Sequence, residues 1–135
     1  MTSIDNPPPA KPTSAEQFWN EWSAGQLALP YKTCAASQAY KAYYLWCAYK
    51  GVDYPCTDPQ WLVQVVRYSA MQGKPVSTRV VKVDELNDGV GKPKRMFMVN
   101  EPDGDKTLEK WATETVAHFE GLLRNYRDSL RGGKA

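Results

Sequence analysis

Side chains able to do covalent or metal chemistry are few and far apart in this chain of 135 residues. It has one histidine, His118, and three cysteines, Cys34, Cys47 and Cys56. A Cys–His nucleophile pair or a zinc site needs such residues clustered, and no spacing here brings them together. An odd cysteine count without a ligand pattern argues against a disulfide framework, so the three are read as reduced thiols of a cytoplasmic protein. Asp103 and Asp105, in "DGD", begin like a calcium loop, but the EF-hand pattern does not continue. A turn and helix cap is the plainer reading. The expectation is a protein that is not an enzyme and uses no metal or cofactor.

The spacing that carries information belongs to side chains that bind. Gln60, Gln64 and Arg67 recur at four and three residues, which puts them on one face of a helix. In a major groove Gln pairs with adenine and Arg with guanine. Lys74 and Arg79 follow, and Lys92, Lys94 and Arg95 form the densest basic cluster. Such side chains, free to reach outward, make phosphate contacts. A plainer reading stands beside this one: Arg67 and a charged turn can simply be solvated. The formal net charge is only +2, so a case for nucleic acid rests on where the charges lie.

The elements that must position these residues are legible as changes of period. Residues 1–13 hold four prolines and read as a disordered leader without the apolar core of a signal peptide. Ser14 opens a first helix, with "SAEQ" as its capping box, Phe18, Trp19 and Trp22 as its apolar face and Gly25 as its stop. In "SQAYKAYYLWCAYKG" Ser37 is the expected N-cap and Gly51 the stop of a second helix. Tyr40, Tyr43, Tyr44 and Cys47 recur there at three and four. Core packing is the preferred reading of Tyr40, Tyr43 and Cys47, over base stacking. Thr57 or Asp58 caps a third helix with Pro59 in its first turn. Trp61, Leu62, Val65, Val66 and Met71 are expected inside, and Gln60, Gln64, Arg67, Ser69 and Gln72 outside. The period then shortens: "VSTRVVKVDEL" and "RMFMVN" read as two strands. The turn between them carries Lys92, Lys94 and Arg95. A last helix runs from Thr107 to about Leu130, with Leu108, Ala112, Val116, Phe119, Leu123, Tyr126 and Leu130 as its seam. Gly121 inside it hints at close packing.

Three helices, a two-stranded hairpin and one further helix make an α+β chain whose order is that of a winged helix with an extra C-terminal helix. The expected division is a leader over 1–13, the winged-helix domain over 14–100 and a packing or dimerisation helix over 101–131. The chain also resembles a known family. Ser37, Tyr40, Ala42, Tyr43, Trp46, Cys47 and Gly51, followed by Thr57, Trp61 and Val65, resemble the C-terminal winged-helix domain of phage and plasmid primase–helicases of the poxvirus-like, superfamily 3 type. The resemblance covers about residues 15–100. It implies DNA binding linked to replication. It does not imply unwinding or priming, because no Walker-type phosphate loop is present. The chain is expected to be either a standalone protein or an excised C-terminal piece.

Three uses of this surface follow. The first is duplex DNA binding through the third helix and the hairpin. The second is docking on a replicative helicase or polymerase. The third is single-strand binding through Tyr31, Tyr44 and Tyr54. No run of apolar residues is long enough to span a membrane. The seam of the last helix must be buried, either on the first helix or against the same helix of a second chain. The homodimer is the favoured expectation, because the seam outruns the short first helix.

Overall fold

Thr13 rather than Ser14 caps the first helix of the computed structural model, which describes residues 11–102 and 104–133. Most of the expected leader, and Asp103, lie outside those residues. In α1, Ser14–Ser23, the Glu16 amide donates to the Thr13 hydroxyl at 3.2 Å, and Glu16 Oε1 accepts from the Thr13 amide at 3.0 Å. This is a complete capping box one residue earlier than "SAEQ" suggests. Ser14 is thereby free for another bond, 2.7 Å from the hydroxyl of Tyr43.

The chain then makes a two-residue strand, β1 (Cys34–Ala35), that no sequence signal announces. It passes directly into α2, Ala36–Lys50. Ser37 is not the N-cap: the helix begins at Ala36, and the buried side chain of Gln38 reaches back to accept from the Ala35 amide at 3.0 Å. Gly51 ends α2 at φ 74°, a left-handed conformation that a Cβ would strain. Thr57 caps α3 (Asp58–Met71), which has Pro59 in its first turn. Strands β2 (Ser77–Val83) and β3 (Lys92–Met98) follow, and then α4 (Leu108–Arg131), capped by Thr107.

The protein is thus α+β, with four helices and a three-stranded antiparallel sheet in the order β1-β3-β2. The register pairs Ser77 with Met98 and Val83 with Lys92, and on the other edge Cys34 with Phe97 and Ala35 with Met96. Lys92, Lys94 and Arg95 therefore lie within β3, not in the turn. Pro93 sits in the strand that is central to the sheet, yet only β2 pairs there, so its missing N–H breaks no ladder. Thr33 extends the β1–β3 seam. Its hydroxyl accepts from the amides of Val99 and Asn100 at 2.8 and 2.9 Å.

Two apolar cores lie on the two faces of this sheet. The larger gathers α1, α2, α3 and Phe97 around Phe18, Trp22, Tyr43, Trp46 and Trp61. Trp22 stacks on Phe97 at 5.6 Å and Trp61 lies 5.7 Å from the same ring. Each such pair adds about 0.5–1.5 kcal/mol beyond the area it buries. The smaller core sits on the other face, where Ala35, Val81, Val83, Met96 and Met98 meet Trp111, Ala112 and Val116 of α4. Farther along α4, Phe119, Leu123 and Tyr126 join the larger core. The expected seam is real, and its own chain buries it. It packs on the sheet and α2, and it meets the first helix, where the fold-back expectation placed it, through Phe119 and Trp22, 6.3 Å apart. A Cβ at Gly121 would meet no neighbouring atom within 4 Å, so no close packing explains that glycine.

Candidate nucleic-acid interface

The axis of α3 is fixed by Trp61, Val65 and Ser69, four residues apart and all buried. Ser69 was expected outside. It is enclosed because its hydroxyl donates to the Val66 carbonyl at 2.9 Å and accepts from the Val76 amide at 3.1 Å. This joins the end of α3 to the entry of β2. Met71, expected inside, is 74 % exposed. The crest opposite the buried axis carries Val63, Arg67, Ala70 and Met71, all exposed.

Of the three expected base readers on α3, only Arg67 is free. Gln60 Oε1 accepts from the Thr57 amide at 3.2 Å, so this side chain closes the helix start. The Thr57-x-x-Gln60 spacing is itself a capping signature, overlooked in favour of the periodicity. Gln64 is half-buried, with its Oε1 enclosed and without a hydrogen-bond partner among the described residues. Arg67 is exposed, as are Lys74, Arg79, Lys92 and Arg95.

The register of β2 with β3 sorts the hairpin cations between two faces. Residues paired across an antiparallel ladder share a face, and neighbours along a strand alternate. Arg79, Lys92 and Lys94 therefore share the face of Val81, Val83 and Met96, which packs on α4. Lys94 is ion-paired there with Glu85. Arg95 lies on the opposite face with Thr78, Val80, Lys82 and Pro93. That face turns towards α3, since Phe97 on it touches Trp61. Arg95 Nη1 donates to the Thr78 hydroxyl at 3.2 Å. Lys82, exposed beside it, was not among the expected contacts; strict alternation along β2 was the signal that could have found it.

Acidic side chains of the hairpin turn itself are engaged within it. Asp84 accepts from the amides of Asp88 and Gly89 at 3.0 and 2.9 Å. Partial desolvation pulls its pKa upward, but the Gly89, Asp88 and Asn87 bonds outweigh that and hold it below the usual carboxylate range. Glu85 holds Lys94. Between residues 67 and 95 there are seven basic and three acidic residues, against ten and twelve in the rest of the chain. The modest net charge thus hides a basic stretch. Among the described residues, Arg67, Lys74, Arg79, Lys82, Lys92 and Arg95 form no ion pair.

A cleft beside α3 brings Asp58, Pro59 and Leu62 against Pro93, Lys94 and Arg95, with Ala36 and Ser37 at its wall. It places the start of α2, which has no side chain capping from Ala35 and no acid in its first turn, beside two cations. Amides of an open helix start favour anions.

Two of the three cysteines are enclosed and Cys56 is half-buried. Burial raises the thiol pKa of Cys34 and of Cys47, which holds both protonated and poorly nucleophilic. His118 is exposed on α4. Among the described residues no three of His, Cys, Asp and Glu gather in a way that could hold a metal ion, and no helix is long and apolar enough to cross a membrane. Of the three tyrosines expected to stack on single strands, Tyr44 and Tyr54 are exposed. Tyr31 is half-buried and its hydroxyl accepts from Trp19 Nε1 at 2.9 Å. Comparison with protein-family models, with curated proteins and with solved structures finds no match for this chain.

Proposed function

We propose that this chain is a winged-helix protein that binds duplex DNA without catalysing a reaction, with α3 as the recognition helix and the β2–β3 hairpin as the wing. One observation carries the reading. α3, whose exposed crest bears Arg67, meets the hairpin at a cleft where Pro59 and Leu62 lie against Pro93 and Arg95, and neither Arg67 nor Arg95, nor Lys82 on the same hairpin face as Arg95, is held by an acid among the described residues. The element order α1-β1-α2-α3-β2-β3 and the sheet order β1-β3-β2 fit a winged helix, including the short β1 that the sequence did not announce. In this reading α3 lies in the major groove, Arg67 reads a guanine edge or a phosphate, and Lys74, Lys82 and Arg95 hold the backbone. Arg79 and Lys92 reach the backbone only from the α4 side of the hairpin. The resemblance of Ser37–Val65 to primase–helicase tails supports a part for this activity in the replication of a phage, plasmid or other mobile element.

Fluorescence anisotropy with a labelled duplex and the matching single strand, each at two salt concentrations, tests the reading. Tighter binding to the duplex that weakens with salt is expected. A second reading, docking on a helicase or polymerase, is favoured by Leu86 and Val90, both more than half exposed at the hairpin turn. It gains if neither DNA form binds.

A further inference from the structure

The crest of α3 has a feature that phosphate contacts do not use. Val63 is 56 % exposed at its centre, one turn before Arg67, with Pro59 one turn behind it and Ala70 two turns ahead. A β-branched residue at an open helix position packs against nothing and is a poorer helix former than Ala. No Asp or Glu occurs between Pro59 and Gln72, so nothing on this crest repels a polyanion. Arg67 on the crest itself and Arg95 in the cleft at the start of the helix supply charge complementarity to a polyanion. In the major groove the one apolar group that a base pair presents is the C5-methyl of thymine.

Resting on the duplex-binding reading above, we infer that Val63 is a specificity residue that docks on the C5-methyl group of a thymine in the major groove. The bound site then contains a T·A pair under the middle of α3, and Arg67 contacts the DNA one helical turn farther along. The minor groove has no such methyl, so the contact also fixes which groove α3 occupies.

Deoxyuridine differs from thymidine only by that methyl, which makes the test direct. The full chain selects tight binders from a duplex pool with a randomised core, and the enriched duplex is then prepared with thymidine or with deoxyuridine. Parent protein is expected to bind the deoxyuridine duplex about three- to fivefold more weakly, the effect of leaving one methyl group in water. Val63→Ala is expected to bind the thymidine duplex about as weakly and to make little distinction between the two. Equal binding of both duplexes by the parent overturns the inference and leaves duplex binding intact. So does a Val63→Ala variant that keeps the full thymidine preference. Enrichment of no sequence means that α3 reads no base and overturns it too. Absence of any duplex binding overturns both this inference and the reading it rests on.

Discussion

Replacing Arg67, Lys82 and Arg95 together by Ala removes the three cations assigned to DNA in the proposed interface, the first on the α3 crest and the other two on the hairpin face turned towards α3. All three are exposed, so their loss should leave the fold intact. Each phosphate contact on duplex DNA contributes about 0.9 to the slope of log affinity against log salt. Three contacts give a flattening of about 2.7, and between about 50 and 200 mM salt the drop in affinity shrinks about 40-fold relative to the parent. Lys92→Ala with Lys94→Ala should do less. Both lie on the face that packs on α4, and Lys94 must leave Glu85 before it can meet a phosphate. Their expected flattening is below about 0.9. Glu85→Gln frees Lys94 and should steepen the slope. Anisotropy titrations over a salt series read all four proteins. If the Lys92/Lys94 pair flattens the slope more than the Arg67/Lys82/Arg95 triple, the assignment of faces from the strand register is refuted.

Three further outcomes are expected. Ser69→Ala strips the buried Val76 amide of its acceptor, 3.1 Å away, and should cost about 1–3 kcal/mol in urea unfolding; an unchanged midpoint would show that the α3–β2 corner does not depend on this bond. Gly121→Ala places a methyl where no atom lies within 4 Å and should stabilise by up to about 1 kcal/mol in the same assay, whereas a loss would mean that α4 is packed there after all. The third concerns pH. The Asp84 carboxylate is held below its usual range, so its contribution to the turn is complete above about pH 4. It is lost as pH falls through the lower folded-state value. Exchange protection of the Gly89 amide should follow that loss, and protection that is flat down to the acid limit would contradict it.

Much of the fold is written in local patterns, and its departures have physical causes. Helices α1 to α4 were legible because Phe18, Trp22, Tyr43, Cys47, Trp61, Val65 and Phe119 recur at helical spacing and are buried as expected. Strand β1 was not, since two residues have no periodicity and are held by partners more than sixty positions away. The start of β3 was misplaced because "GKPK" reads as a turn, while Pro93 is tolerated where β3 has a free edge. Site residues were harder. A periodicity argument puts Gln60, Gln64 and Arg67 on one face, but it cannot show that the first caps the helix and the second is half-buried. The basic triplet Lys92, Lys94 and Arg95 looks like one patch in sequence, and the pleat sends its members to two faces. Val63 carries neither charge nor hydrogen-bonding group, so a search for phosphate and base-edge contacts passes over it.

The most direct test of the proposed contact surface is an amide-resolved NMR titration of the full chain with duplex DNA at low salt. The account predicts that perturbed amides cluster on the α3 crest, at Val63, Arg67 and Ala70, and on the α3 side of the hairpin, at Thr78, Val80, Lys82 and Arg95. The outer face of α4, with His118, Arg124 and Asn125, should stay unchanged. Perturbations centred on Lys41, Arg124 and Arg127, where α2 meets α4, or none at all, would contradict it.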